Sequence, residues 1–253
     1  MHPLTPADHL LALVLAIFFP IRSATFGYRR LARAGEADVP RVRGGLYRQA
    51  IVIQWTLSAC VIVLWMWRSR AWSALGLVWR TSVWSIGVGV ALALLVATIA
   101  AQLPRALGDA ETLERIRRRL ANVRRMLPSR ADEMGTFYLL SLTAGVCEEL
   151  LYRGYLYDYV RHFMPWPAAV VVAVLLFGAG HSYQGVKGVL TTGIAGTVLM
   201  ATYLASGSLY LSMAAHTLMD AYSGTLGRHA FGAAEAAPAP EAAPAPPAPP
   251  AGV

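Results

Sequence analysis

Three apolar stretches in the C-terminal half of the chain carry polar or ionisable residues at fixed spacings. These are Glu148, Glu149 and Arg153 in the first stretch, Phe177 and His181 in the second, and His216 and Asp220 in the third. Charged side chains are costly at membrane depth, so they rarely occur there without a function or a partner. A carboxylate beside an imidazole can polarise a water molecule, and a second histidine can stabilise an oxyanion. The set is therefore typical of a hydrolase, with a peptide bond as one target.

Helical spacing predicts which of these side chains meet. Residues four apart share a face of an α-helix, so Glu149 and Arg153 are expected to pair, which lowers the cost of burying them. Glu148 lies about 100° away around the helix and should point elsewhere. Each stretch also has an ordinary structural interpretation: an ion pair, an interface histidine at His181, and a local hydrogen-bonded pair in the third stretch. All three being incidental in one chain is much less expected.

The same residues could bind a metal ion. One glutamate and two histidines, with water in the fourth position, form known catalytic zinc sites, and the candidate ligands here are Glu148, His181 and His216. The chain contains no H-E-x-x-H motif. Spacing alone leaves metal-dependent and metal-free mechanisms open.

The composition is that of a membrane protein. Hydrophobic residues make up 56% of the 253 residues and charged residues 14%, against about 25% charged residues in soluble domains. We predict an all-α, polytopic transmembrane helical bundle with about seven spanning segments, each near the roughly 20 residues that cross a bilayer. The segments are residues 10–28, 50–67, 81–103, 134–157, 165–181, 188–207 and 208–227. The first is the weakest, and whether it crosses decides the orientation of the N-terminus.

Residues 104–133, the basic segment, separate the third and fourth spans and contain eight arginines. Apolar residues recur there at spacings of three and four, which predicts one amphipathic helix: Leu113, Ile116, Leu120, Val123 and Leu127. Such a helix either lies in the membrane interface or is a solvated connector packed on the protein. The positive-inside rule places it in the cytoplasm. Anionic lipids are its expected partner, and nucleic acid is not.

The chain therefore divides into four parts. Residues 1–103 form N-terminal membrane segments, residues 104–133 the basic segment, and residues 134–232 a catalytic membrane core. Residues 233–253 are nearly all alanine and proline, a composition that predicts a disordered tail.

The ordered patterns E-E-x-x-x-R, F-x-x-x-H and H-x-x-x-N/D, each in its own membrane helix, resemble the CPBP family of intramembrane proteases. The best-known members are the type II CAAX prenyl endopeptidases, and the resemblance covers about residues 135–227. It implies water activation by Glu148 and His181, an oxyanion site of His216 and Asp220, and support from Glu149, Arg153 and Phe177. Asp220 stands where asparagine is common, and an ionised aspartate would repel an oxyanion. It must then be protonated, paired with His216 or otherwise employed.

The predicted function is an intramembrane endopeptidase, glutamic or metallo, acting on a membrane-anchored protein or peptide. No cofactor is favoured, and zinc is the alternative. The arginine and alanine bias suggests a bacterial source, and hence the bacterial inner membrane. The competing interpretation is a non-enzymatic immunity or scaffold protein. A small transporter would predict an internal repeat of helical units, which the sequence lacks.

Overall fold

The computed structural model describes residues 2–22, 25 and 28–235, and these residues form helices and turns without any strand. The predicted all-α helical bundle is confirmed. The N-terminal half contains α1 (Pro6–Leu13), a π-helix (Val14–Phe18), α2 (Phe19–Arg22), α3 (Tyr28–Arg33), α4 (Val39–Trp67) and α5 (Val83–Gly108). The basic segment contains α6 (Ala110–Leu120) and two 3-10 helices (Ala121–Met126 and Ala131–Glu133).

The C-terminal half carries the three motifs. Its elements are α7 (Met134–Glu148), a second π-helix (Glu149–Leu156), α8 (Tyr157–Arg161), α9 (Trp166–Gly180), α10 (Gly185–Ser206) and α11 (Leu209–Glu235). Further 3-10 turns are Glu36–Asp38, Trp72–Leu75 and Ser182–Gln184. Helix α11 continues to Glu235, two residues beyond the expected start of the tail at residue 233. The rest of the predicted tail lies outside the described residues.

Three of the described helical stretches are long and apolar enough to cross a membrane, judged by length and composition. They are Glu36–Trp67, Val83–Gly108 and Ser182–Ser206. Helix α9 is apolar but shorter. Helix α7 has 15 residues and runs directly into the π-helix that carries Glu149 and Arg153. The count of about seven spans therefore stays a prediction.

Helix α7 packs against both α4 and α11. At the crossing with α11, a Cβ atom built on Gly145 would overlap the Thr217 side chain and lie 2.8 Å from the backbone oxygen of Met213. Only glycine allows this approach, because the obstacle includes backbone that cannot rotate away. The close crossing brings the third motif, on α11, beside the glutamates at the end of α7.

The basic segment is not one continuous helix. Helix α5 runs on to Gly108, and α6 begins anew with the Asp109 side chain accepting a hydrogen bond from the Thr112 backbone. The apolar face packs on the protein: Leu127 is buried, and Leu120 and Val123 pack around the same cluster. This packing is compatible with both interpretations of the segment, which stay predictions. At one end of the bundle, the basic segment packs against Tyr47 of α4 and Phe137 of α7.

The N-terminal residues lie at the opposite end of the bundle. Asp8 forms a buried ion pair with Arg70, with 2.6 Å between Nη1 and Oδ1, just beyond the C-terminus of α4. Glu36 pairs with Arg125 of the basic segment at 2.6 Å, near the start of α4. Helix α4 has 29 residues, so its ends are about 43 Å apart. The chain between Asp8 and Glu36 thus passes from one end of the bundle to the other, as expected if residues 10–28 cross the membrane.

Candidate active site

The two adjacent glutamates stand at a change of helix type. Glu148 is the last residue of α7, and Glu149 is the first residue of the π-helix Glu149–Leu156, all eight residues of which are buried. The sequence spacing predicts a regular α-helix here, and that expectation is wrong. In a π-helix the backbone bonds run from residue i to residue i+5, and such stretches often occur at functional sites.

The Glu149 carboxylate is the buried centre of the site. Its side chain has 0% exposure and that of Arg153 has 1%. The Arg153 Nη1 donates to Glu149 Oε1 at 2.8 Å, so the residues predicted to pair do lie together. His216 Nδ1 lies 2.9 Å from the same oxygen and can donate to it. One carboxylate therefore joins the π-helix to α11.

Arg153 also holds two further helices. Its Nη2 donates to the backbone oxygen of Gly196 on α10 at 3.2 Å. Its guanidinium carbon lies 3.9 Å from the ring centroid of Phe177 on α9, a cation–π contact. A Cβ atom on Gly196 would lie 2.8 Å from the Phe177 ring and 3.2 Å from Arg153, so this packing requires glycine. Phe177 is the supporting residue of the second motif, and its ring is 2% exposed.

Glu148 points away from Glu149, toward α4 and a cavity. Its Oε1 accepts a hydrogen bond from Gln54 Nε2 at 2.8 Å. Its Oε2 lies 4.0 Å from His216 Nε2. The same nitrogen lies 3.8 Å from Asp220 Oδ2. The His216 ring thus stands between the two glutamates, with Nδ1 at Glu149 and Nε2 facing Glu148 and Asp220.

His181 lies at the C-terminal end of α9. Its Nδ1 is 3.0 Å from the backbone oxygen of Phe177, which can only accept, so Nδ1 donates and a neutral ring keeps Nε2 free of a proton. The Phe177 ring centroid lies 5.0 Å from that of His181 and 6.1 Å from that of His216. Phe177 therefore packs against both histidines and sets their spacing.

All four predicted catalytic residues line one cavity of about 530 Å³, the central cavity. Its lining is Glu148, His181, His216 and Asp220 on one side and Leu120, Asn122, Val123 and Met126 of the basic segment on another. Of the two histidines, it is His216 that has a ring nitrogen 4.0 Å from the Glu148 carboxylate, and no hydrogen bond or ion pair joins His181 to Glu148 in the described part of the chain. Glu148 and His181 can therefore share a substrate or water only across the cavity.

The candidate zinc ligands pass one test and fail another. Both His181 and His216 use Nδ1 on an oxygen acceptor, the usual arrangement around a metal-binding histidine. However, the ligand atoms of Glu148, His181 and His216 do not all lie within 4.8 Å of one another. As placed, the three do not fit an ion.

Sequence reasoning missed Gln54. It is the one amide in the apolar part of α4, it is 5% exposed, and its Oε1 has no hydrogen-bond partner among the described residues. A buried amide is costly unless it is hydrogen-bonded. The isolated glutamine within an apolar helix was therefore the signal that the sequence offered. Its Nε2 is the sole donor recorded for the Glu148 carboxylate in the described part of the chain.

The comparison with family models decides the identity of this region. Residues 130–222 match the model described as Type II CAAX prenyl endopeptidase Rce1-like. This part of the chain belongs to the Rce1-like family. The CPBP-type membership that the motifs indicated is confirmed, and the matched residues include all three motifs. No curated protein and no solved structure shows significant similarity to the chain.

The Rce1-like match and the apolar helices together indicate an integral membrane protein. The Rce1-like region begins at residue 130, so it includes most of the buried site but not α4. Gln54, the hydrogen-bond donor to Glu148, therefore comes from outside the matched residues.

The buried pair is open to a coupling test. Arg153→Ala is expected to lower the folded yield, because removing one partner of a buried pair costs about 3–5 kcal/mol. The Glu149→Gln, Arg153→Gln double variant is expected to recover part of that loss, since no uncompensated charge stays buried. Thermal unfolding in detergent measures both. Arg118→Ala is the matched control: Arg118 pairs with Glu114 four residues away, but its side chain is 78% exposed. If the double variant lost as much stability as Glu149→Gln and Arg153→Gln lose when measured singly and added together, the coupling would be disproved.

Gln54→Leu is expected to slow peptide cleavage while the protein still folds. A hydrogen bond to a charged group contributes about 1.5–3 kcal/mol, which corresponds to roughly ten- to a hundredfold in rate. The measurement is kcat on a membrane-anchored test peptide, with thermal unfolding as the check on folding. Gln102→Leu, at an exposed glutamine on α5, is the control. Equal rates for the two variants would show that the Gln54 contact does not serve the reaction.

Proposed function

We propose that the chain is a CAAX-type intramembrane endopeptidase that hydrolyses a peptide bond of a membrane-anchored protein or peptide. The observation that carries the proposal is that Glu148, His181, His216 and Asp220 line one largely apolar cavity. A low-dielectric, water-poor site strengthens the interaction of each of these groups with developing charge. The proposed location is the bacterial inner membrane.

In the proposed reaction, Glu148 and His181 hold the attacking water between them. The water oxygen attacks the carbonyl carbon of the scissile bond as its proton passes to this pair, and the same proton is later given to the leaving amine. Gln54 restricts the Glu148 carboxylate, which leaves its second oxygen free to face the cavity. Because no direct hydrogen bond joins Glu148 to His181 among the described residues, the proposal has the two residues act through the water.

His216 and Asp220 are proposed to stabilise the oxyanion. The Glu149 carboxylate accepts from His216 Nδ1 and balances a positive charge on that ring, so Nε2 can present a proton to the cavity. Asp220 lies 3.8 Å from the same Nε2. A proton shared within this pair would remove the repulsion that an isolated aspartate exerts on an oxyanion.

The reaction is proposed to need no tightly bound metal. Support comes from the spread of the Glu148, His181 and His216 ligand atoms and from the lack of a short zinc motif. The two histidines keep the orientation that a metalloprotease would also require, so the zinc alternative is one for experiment. Anionic lipids are the proposed partner of the basic segment, where Arg115 and Arg118 have side chains that are 62% and 78% exposed.

Glu148→Gln and His181→Ala are each expected to abolish cleavage while the protein still inserts and folds. Loss of a general base lowers a rate on the order of a hundredfold or more. The measurement is cleavage of a membrane-anchored candidate substrate in cells, with expression followed on the same blot. An immunity or scaffold protein would instead keep its activity in Glu148→Gln.

Two control variants match these changes. His229 is exposed, and its Nδ1 lies 2.9 Å from the backbone oxygen four residues earlier, which is the local contact that His181 makes. Glu111 is an exposed glutamate on α6. His229→Ala and Glu111→Gln are expected to cleave normally. Full activity in both Glu148→Gln and His181→Ala would overturn the proposed function.

Metal dependence has its own expected outcome. Cleavage should be unchanged after a chelator has removed metal ions from the protein, because no step of the proposed reaction requires a metal ion. If Glu148, His181 and His216 bound zinc tightly, His181→Ala would lose about one equivalent of metal, and activity would disappear with chelation and return with zinc. Elemental analysis and the chelator assay together measure this. That second pattern would replace the water-activating pair by a metalloprotease mechanism.

A further inference from the structure

A second cluster of metal-binding side chains lies at the end of the bundle opposite the basic segment. One ligand atom from each of His2, Asp158 and His162 lies within 4.8 Å of the others, the one such group of His, Cys, Asp and Glu found among the described residues. Asp158 and His162 belong to α8 and its C-terminus, directly after the π-helix of the active site. His2 precedes α1, in a stretch without regular secondary structure.

The spacing of two of these ligands already suits an ion. His2 Nε2 lies 3.6 Å from Asp158 Oδ2. In a tetrahedral site with nitrogen and oxygen ligands at about 2.0–2.2 Å, two ligand atoms are about 3.4 Å apart. At 3.6 Å the pair is longer than a hydrogen bond, so neither atom satisfies the other fully. A cation between them would bind both with little movement.

The acidic member of the cluster is Asp158. The Asp158 side chain is only 19% exposed, and its carboxylate accepts no hydrogen bond from the described residues.

The third ligand is oriented by its own helix. His162 Nδ1 lies 2.9 Å from the backbone oxygen of Asp158 and donates to it, the arrangement that fixes many metal-binding histidines. Its Nε2 lies 2.8 Å from the backbone oxygen of His2, which can only accept, so Nε2 also donates in this arrangement. Binding an ion would replace this backbone contact and release the Nε2 proton. The His2 ring also packs edge-on against Trp65, with 4.9 Å between centroids, which keeps it at the site.

We propose that His2, Asp158 and His162 form a binding site for a zinc-class divalent cation that fastens the N-terminal residues to α8. The donor set of two imidazoles and one carboxylate favours zinc-class ions over calcium or magnesium, which prefer oxygen ligands. The ion would reinforce contacts already present at this end, where the Tyr155 hydroxyl donates to the Asp8 backbone oxygen at 2.7 Å. The site is separate from the catalytic residues and does not depend on the proposed protease activity.

The experiment uses the full chain, purified in detergent with any affinity tag removed, loaded with Zn²⁺ and washed free of excess. Elemental analysis is expected to find about one equivalent of zinc in the parent protein and less than about a tenth in Asp158→Asn and His162→Ala. Asp158→Asn keeps the shape of the side chain, so it covers the case in which His162→Ala does not fold. Zinc should also raise the melting temperature of the parent protein and leave that of Asp158→Asn unchanged.

Two further variants locate the ion. His9 lies at the same end of the bundle, where its Nδ1 is 2.8 Å from the Tyr159 hydroxyl, and His9→Ala is expected to retain zinc. His181→Ala, at the catalytic site, is also expected to retain it. A parent protein without zinc, or Asp158→Asn that still holds one equivalent, would overturn the proposal. Zinc lost from His181→Ala but kept by His162→Ala would do the same and assign the ion to the central cavity.

Discussion

The arrangement of the site depends on one buried ion pair, that of Glu149 and Arg153. Both side chains are excluded from solvent, so each depends on the other for the stabilisation that water would give. Their remaining contacts reach Gly196 on α10, Phe177 on α9 and His216 on α11. Four helical elements are thereby held by two side chains. Glu148, one residue earlier, is left free to face the cavity.

This electrostatic centre requires close backbone packing. Gly145 lets α11 approach α7, and Gly196 lets α10 approach the Arg153–Phe177 pair, each at a distance that a Cβ atom would prevent. Without these approaches, His216 could not reach the Glu149 carboxylate, and the arginine could not reach the α10 backbone. In a membrane, where helices gain little from burying apolar surface, such packing and hydrogen bonds supply much of the association energy.

The sequence was sufficient wherever a relation is local. The all-α class follows from composition, and the Glu149–Arg153 pair follows from a spacing of four. Relations between elements were not accessible in this way: the position of His216 between the glutamates depends on the crossing at Gly145, and the Gln54 contact depends on which face α4 turns inward. The π-helix has no period-based signal, and the break between α5 and α6 depends on the Asp109 cap. Catalytic roles, metal use and the number of spans stay predictions.

The position of Gln54 has a consequence for modularity. A polypeptide reduced to the family region, residues 130–222, would retain every motif residue and the buried ion pair. It would lack α4, and with it the amide that orients Glu148 and the face against which α7 packs. The candidate site is thus assembled from two halves of one polypeptide. The region that matches the family model does not contain every contact that positions Glu148.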